Sequence, residues 1–177
     1  VVDRTEMLER ALEHSKVAID LHPTYNNAWL LYGNAHIMLA EMRKNANRFP
    51  ESLKLYDEGV KAYKEVNRLR PDHADVPINM TVALREKGKL LGEKMGKIPE
   101  ALNALLQAEE WAKGSDFEVL RLLGVANGLS QRHTDAVQYF TKALKLSPQN
   151  VSILYNLEIA YRQMAEIAKQ QGDEVSM

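Results

Sequence analysis

The side chains that most often carry chemistry in proteins occur in this sequence, but they are not spaced as a reactive site. The 177 residues contain no cysteine, which excludes disulfides, thiolate nucleophiles and Cys-ligated metals. The five histidines include no pair at the i, i+4 spacing of a helical metal site, and H-E-x-x-H does not occur. We interpret His36 as structural, because it falls on a packing face. The sequence therefore predicts no metal and no other cofactor.

Motifs for nucleophilic catalysis and phosphate binding are also missing from the sequence. There is no G-x-S-x-G, no G-x4-G-K-[ST] and no G-x-G-x-x-G. The carboxylates are scattered, and adjacent ones are typical of solvated helix faces. Gly88, Gly92 and Gly96 recur every four residues among lysines, which favours close helix packing, with a helix end at Gly96, over a membrane-helix contact. We predict that the chain is not itself an enzyme.

Composition narrows the classes of partner. Lys and Arg number 23 and Asp and Glu number 24, and this formal net charge of -1 argues against a nucleic-acid binder. No run approaches the roughly 18 apolar residues of a membrane span, so we predict no membrane insertion by this segment. A cysteine-free domain suits the cytoplasm and the periplasm equally, and the compartment stays open.

Two helical patterns alternate along the chain and must position whatever site exists. One pattern places small, large and small residues at spacings of four and three, on one helical face. Its copies are Ala11-x3-Ser15-x2-Ala18, Gly59-x3-Tyr63-x2-Val66, Ala101-x3-Leu105-x2-Ala108 and Ala136-x3-Phe140-x2-Ala143. The other pattern uses offsets 0, 3, 4 and 7, also one helical face. Its copies begin at Trp29, Pro77, Leu120 and Leu154, and their fifth residues are Gly33, Thr81, Gly124 and Glu158.

Together these patterns resemble the tetratricopeptide repeat (TPR) family, whose signature is W-x2-L-G-x2-Y followed by A-x3-F-x2-A-x4-P. Residues 117–150 match it best, through Leu120, Leu123, Gly124, Ala136, Phe140, Ala143 and Pro148. The resemblance implies an all-α, right-handed α-solenoid of antiparallel helix pairs, with about eight helices. We expect residues 1–177 to form a single superhelical domain, cut from a longer array or a larger protein.

Spacing and capping signals give expected helices over 3–21, 25–46, 50–69, 74–94, 98–113, 116–130, 134–146 and 150–171. Pro50 and Pro99 suit first turns, Ser115 to Glu118 has capping-box spacing, and Thr134 is a candidate N-cap. Two repeats carry about 14 and 8 extra residues, near whole numbers of 3.6-residue turns. We therefore expect lengthened helices whose extra turns lie at 42–47 and 93–97.

The resemblance also implies a concave groove lined by the first helix of each repeat, which would bind a peptide or a segment of a partner protein. The residues expected to line it are Leu30, Asn34, Ile37, Met38, Ile78, Val82, Arg85, Arg121, Val125, Leu129, Tyr155, Ile159 and Arg162. Three of these are arginines, which suggests an acidic ligand; the alternative is that each arginine pairs with a neighbouring carboxylate such as Glu86 or Glu158.

Two further functional points follow from the resemblance. Some family members hold a peptide's C-terminal carboxylate with a Lys, Asn and Arg clamp. Here Asn34 and Asn79 occupy the asparagine slots, but Leu30, Glu118 and Leu122 occupy basic slots, so this function is not predicted. The alternative to an interaction module is the soluble TPR tail of a larger bacterial membrane-bound glycosyltransferase-like enzyme, with catalysis outside this chain. The partner's identity and the oligomeric state stay open.

Overall fold

The protein is a right-handed α-solenoid built from antiparallel helix pairs. The structure, a computed structural model, describes residues 3–175, with side chains described to residue 171. Within that range the helices are α1 Arg4–Leu21, α2 Asn26–Asn45, α3 Phe49–Leu69, α4 Asp75–Lys89, α5 Ile98–Ala112, α6 Phe117–Leu129, α7 His133–Leu146 and α8 Val151–Val175. Each helix packs chiefly on its neighbours along the chain. We call α2, α4, α6 and α8 the first-type helices, and α1, α3, α5 and α7 the second-type helices.

The helix pairs meet where a glycine on the first helix faces a ring on the second. A Cβ atom added to Gly33 would lie 2.7 Å from Tyr63, and one added to Gly124 would lie 2.5 Å from Phe140. Absence of a side chain thus lets the two backbones approach. The main core includes Tyr63 and takes buried apolar side chains from α3, α4, α5 and α6, whereas Phe140 belongs to a second cluster with Leu120 and Ile153.

The helix ends follow the sequence signals closely, with local exceptions. Pro50 and Pro99 lie in first turns as expected. The cap of α6 is Asp116, whose Oδ1 accepts hydrogen bonds from two backbone N–H groups at 3.0 Å, whereas the Ser115 hydroxyl donates to Ala112. The Thr134 prediction is wrong, because α7 begins at His133 without a side-chain cap.

The lengthened pair α2 and α3 confirms the whole-turn prediction. Two turns beyond Gly33, the small residue Ala40 meets Ser52, whose hydroxyl donates to the Ala40 carbonyl at 2.7 Å. Tyr56 packs beside them and is fully buried. The extra turns thus repeat the same close contact, because 14 residues are nearly four α-helical turns.

The α4–α5 pair departs from the expected register. The repeat pattern places Thr81 at the close contact of this pair. The structure places Gly88 there instead, where an added Cβ would lie 2.7 Å from Leu105. Ala101 follows Gly88 by 13 residues, whereas Ala136 follows Gly124 by 12. A π-helical turn over Leu90–Lys94 extends α4 and absorbs this additional residue. Gly96 then ends the helix with φ +65°, as predicted.

The last helix is longer than expected. It continues through residue 171, where the sequence prediction ended, to Val175. Only its first part packs on α7, through Ile153, which is fully buried.

Candidate protein-interaction face

The first-type helices carry all thirteen residues expected to line the groove, and the clefts beside these helices bring several of them together. The cleft between α4 and the start of α6 has a volume of about 430 Å³. Ile78, Val82 and Arg85 line it from α4. Ile78 is 64% exposed, so a large apolar side chain lies open to solvent at this cleft.

Two aromatic residues in the α4–α6 cleft were missed by the sequence reasoning. Trp111, at the end of α5, and Phe117, at the start of α6, both line it. They flank the turn that contains Lys113 in a left-handed conformation, φ 51°. Such aromatic residues beside a tight inter-helix turn were the available signal, but their positions fall outside both repeat patterns.

A smaller cleft of about 180 Å³ lies between α6 and α8. Val125 and Leu129 line it from α6, and Ile159 lines it from α8. At the other end of the molecule, Asn34 and Met38 line a cleft of about 490 Å³ between α1 and α2, which we call the N-terminal cleft. Eight of the thirteen expected lining residues therefore divide among three clefts.

Two of the expected lining residues serve the interior instead. Ile37 lies over Gly59, where an added Cβ would meet its Cδ1 at 2.5 Å, and it packs against two core clusters. Leu30 packs against the main core and is half-buried. Its counterpart in α6, Gly128, likewise faces Ala136 of α7, so this is the ordinary contact within a helix pair. Tyr155, in contrast, is largely exposed on α8.

Charged side chains on this face form a network of ion pairs that crosses three helices. Lys44 of α2 contacts Glu41 at 2.6 Å and Glu86 of α4 at 3.0 Å. Arg85 contacts Glu86 at 3.3 Å and Asp116, the cap of α6, at 2.8 Å. This ion-pair network links α2, α4 and the N-terminus of α6.

Burial opposes the charged forms, but the ion pairs of this network raise the pKa of Lys44 and lower that of Glu86, so both groups are held in their charged forms. Burial acts to raise the pKa of Glu86, but the hydrogen bond and charge of Lys44, with the charge of Arg85, lower that pKa below its ordinary value. Burial is the main cause that raises the pKa of Tyr56, and the hydrogen bond to Glu41 raises it further. The Tyr56 hydroxyl therefore stays protonated and donates to Glu41.

The other two arginines of the face also have carboxylate partners. Arg121 makes a two-pronged contact with Glu118, each bond 2.7 Å long, and Arg162 pairs with Glu158 one turn earlier on α8. The alternative considered from sequence, in which each arginine pairs with a nearby carboxylate, therefore describes all three. Exposed apolar side chains such as Ile78 and Leu129 lie on the same face.

Residues 3–171 contain no group of three side chains suited to a metal ion. His36 is buried, with Nδ1 2.9 Å from the Tyr32 carbonyl oxygen and its ring edge-on to that tyrosine. No helix of the described chain is long and apolar enough to cross a membrane.

Helix pairs stacked in this way define an α-helical repeat protein. Residues 93–151, a third of the chain, match the tetratricopeptide repeat model. These residues include α5, α6 and α7, and over this segment the chain is similar to the tetratricopeptide repeat family. No curated protein sequence matches the chain.

Solved structures with the same fold share little sequence with this chain. The C-terminal TPR-containing domain of a Plasmodium falciparum FK506-binding protein is 18% identical over 81% of this chain and 95% of that domain, with a TM-score of 0.67. MamA protein is 14% identical over 90% of this chain and 75% of its own, with a TM-score of 0.56. The first TPR of Spaghetti (RPAP3), bound to the HSP90 peptide SRMEEVD, is 15% identical over 75% of this chain and 93% of that chain, with a TM-score of 0.53.

Proposed function

We propose that the protein is a non-catalytic interaction module, and that it binds an apolar segment of a partner protein along α4, α6 and α8. The observation that carries the proposal is the α4–α6 cleft, where Ile78, Val82 and Phe117 surround about 430 Å³ of open space. A large exposed aliphatic side chain beside such a cleft gains free energy when a partner covers it, about 1.5–3 kcal/mol for full burial.

The chemistry of the face favours apolar anchors over an acidic ligand. Arg85 and Arg121 are already paired, and their side chains are only 23% and 20% exposed. A ligand carboxylate would therefore have to displace Asp116 or Glu118. Because one ion pair would replace another, the net gain in binding free energy would be small. We expect side chains of the partner to enter the clefts while the ion pairs hold the clefts open.

The peptide complex of the Spaghetti TPR shows that this fold can hold a peptide, but this chain binds by other contacts. Leu30, Glu118 and Leu122 occupy slots that are basic in the carboxylate clamp. The partner segment is thus recognised through internal apolar residues rather than through its C-terminus.

Peptides selected on the wild-type protein from a random phage-displayed library test this proposal. We expect Ile78→Arg to weaken their binding at least tenfold, since it places a charge in the cleft. Leu106→Arg is the matched control, because Leu106 is exposed on α5 outside the cleft. Equal affinities for wild type and Ile78→Arg would contradict the proposal.

The salt dependence of the same peptides separates the apolar reading from the acidic one. We expect the triple variant Arg85→Ala, Arg121→Ala, Arg162→Ala to leave the salt slope of binding nearly unchanged. A slope that falls clearly in this variant would show that the arginines contact an acidic ligand.

A further inference from the structure

The hydroxyl groups that line the α4–α6 cleft already donate their hydrogens within the protein. The Thr81 hydroxyl donates to the Pro77 carbonyl at 2.8 Å, and the Ser115 hydroxyl donates to the Ala112 carbonyl at 2.6 Å. Neither hydroxyl therefore has a hydrogen left to donate to a ligand.

The carboxylates of the same lining are engaged as well. Asp116 accepts hydrogen bonds from Arg85 and from two backbone N–H groups in the first turn of α6. Both oxygens of Glu118 accept from Arg121. A ligand N–H would have to compete with these bonds, so every side-chain oxygen of the lining already takes part in a hydrogen bond of the folded chain.

Trp111 is the exception among the polar side chains of this cleft. Within residues 3–171 its Nε1 atom has no hydrogen-bond partner and is not buried, so solvent reaches the indole N–H. Trp29 is the other of the two tryptophans in the sequence, and it donates its indole N–H to the Pro23 carbonyl at 2.9 Å. Trp111 thus brings an unused hydrogen-bond donor to a lining whose acceptors are engaged.

The rest of the lining is apolar and partly aromatic. Ile78 and Val82 of α4 and Phe117 of α6 are all exposed at the cleft. A matching ligand needs apolar bulk and an acceptor for the Trp111 N–H. It also needs few donors of its own, because a donor that is buried without an acceptor loses its hydrogen bonds to water.

Proline meets all three requirements. Its ring is apolar, its nitrogen carries no hydrogen within a peptide, and its carbonyl is an acceptor. A run of prolines adopts the polyproline II conformation, which has no internal hydrogen bonds and leaves every carbonyl free to accept one. Aromatic-lined grooves bind such segments in several classes of protein.

We propose that the α4–α6 cleft binds a proline-rich segment of a partner protein in the polyproline II conformation. Proline rings pack against Ile78 and Phe117, and a backbone carbonyl of the segment accepts a hydrogen bond from the Trp111 indole. This proposal rests on the proposed function and names the chemistry of the partner at the same cleft.

The neighbouring α6–α8 cleft has a lining of different chemistry. Asn156 and Gln163 line it, and neither side-chain amide has a hydrogen-bond partner elsewhere in the described part of the chain. An amide supplies both donors and an acceptor, so a segment with ordinary backbone N–H groups suits that cleft. The preference for proline is therefore expected at the α4–α6 cleft and not at the α6–α8 cleft.

The two tryptophans provide a direct readout by nuclear magnetic resonance. Each indole N–H gives one signal in a proton–nitrogen correlation spectrum, and the variant Trp111→Phe assigns the pair because it removes only one signal. We expect a decaproline peptide, titrated to millimolar concentration, to shift the Trp111 signal and to leave the Trp29 signal in place. A peptide of alternating glycine and serine, equal in length, carries an N–H on every residue and should shift neither signal.

Two matched variants separate the indole N–H from the rest of the site. Trp111→Phe keeps an aromatic ring at the cleft but removes the donor, so we expect it to weaken decaproline binding about fivefold, followed through backbone amide signals of α4. Trp29→Phe removes an indole N–H that is bonded to Pro23 outside the cleft, and it should bind decaproline like wild type. Circular dichroism melts verify that both variants fold.

Three results would overturn the proposal. The Trp111 signal could stay in place during the decaproline titration, or it could move equally with the glycine–serine peptide. Trp111→Phe could also bind decaproline as tightly as the wild-type protein does.

A failure here is distinguishable from a failure of the proposed function. If peptides selected from the random library lose affinity in Ile78→Arg but decaproline leaves Trp111 unmoved, the cleft binds a partner and the proline preference is wrong. If the selected peptides bind Ile78→Arg as they bind wild type, the proposed function itself is wrong.

Discussion

At the scale of single residues, the contacts between glycines and rings decide how closely the helices approach. Two glycines of α6 differ sharply in this respect. An added Cβ on Gly124 would lie 2.5 Å from the Phe140 ring, whereas one on Gly128 would lie 3.9 Å from Ala136. The two sites share a helix and differ in the room available, so they form a matched pair.

We expect Gly124→Ala to lower the free energy of unfolding by about 1–3 kcal/mol, because the Phe140 ring must move away from a packed site. Gly128→Ala should raise it by up to about 1 kcal/mol, since alanine restricts the unfolded chain and no contact is too close. Urea unfolding followed by circular dichroism measures both. Equal effects of the two substitutions would contradict the assigned α6–α7 contact.

The lowered pKa of Glu86 gives a pH-dependent prediction. Its stabilising effect is fully present above about pH 4.5, the ordinary value, and is lost as pH falls through the lower pKa of the folded state. Glu86→Gln should therefore cost about 1 kcal/mol near pH 7, and this difference from wild type should shrink toward pH 3. Thermal melts across that range test it.

Glu110→Gln, at an exposed position of α5, is the control for the pH series. Its melting temperature should follow that of wild type throughout. If Glu86→Gln does the same, the ion-pair chain across α2, α4 and α6 contributes nothing to stability.

Residue-scale features divide clearly into those that sequence could predict and those that it could not. Gly124 and His36 lie in packing faces, as the repeat pattern indicates. Ile37 was expected in the groove, but it holds the position that Gly128 has in α6, which faces the second helix of the pair, and it covers Gly59. Trp111 and Phe117 gave no periodic signal, because they flank a turn and only the tertiary arrangement brings them to the α4–α6 cleft.

At the scale of helices, the π-helical turn at Leu90–Lys94 explains why the α4–α5 pair departs from a regular repeat. The sequence arithmetic placed eight extra residues there as whole turns. The structure instead pairs Gly88 with α5 and leaves one residue over, which the wider turn accommodates.

Deleting Gly92 should therefore be tolerated, because it restores the 12-residue spacing found between Gly124 and Ala136. We expect its melting temperature to stay within about 4 °C of wild type, equivalent to about 1 kcal/mol for a chain of this size. Deleting Val125 from α6, which has no extra residue, should lower it by more than about 10 °C. Similar losses from both deletions would contradict this account of the π-helical turn.

Helix boundaries were largely predictable, since prolines, glycines and hydrophobic periodicity mark them locally. The extension of α8 to Val175 was not, because the expected helix ended at residue 171, while the observed helix continues beyond it. Register between helices was the harder problem. Thr81 and Gly88 lie seven residues apart on the same helix face, and only contact with Leu105 distinguishes them.

At the scale of the whole molecule, clefts recur between successive first-type helices while their charges are neutralised in place. The sequence indicated such a face through its resemblance to the repeat family. It did not indicate the pairing of Arg85 with Asp116, since these residues are 31 positions apart and meet only when α4 and α6 stack. We therefore propose that a partner binds this face through its apolar clefts.

Hydrogen–deuterium exchange of the protein with and without a selected peptide shows where the peptide binds. If the peptide occupies the α4–α6 cleft, exchange should slow in residues 77–85 and 115–121, while the outward turns of α5 and α7 exchange unchanged. Protection confined to α3, α5 and α7, with none in α4 or α6, would contradict the account.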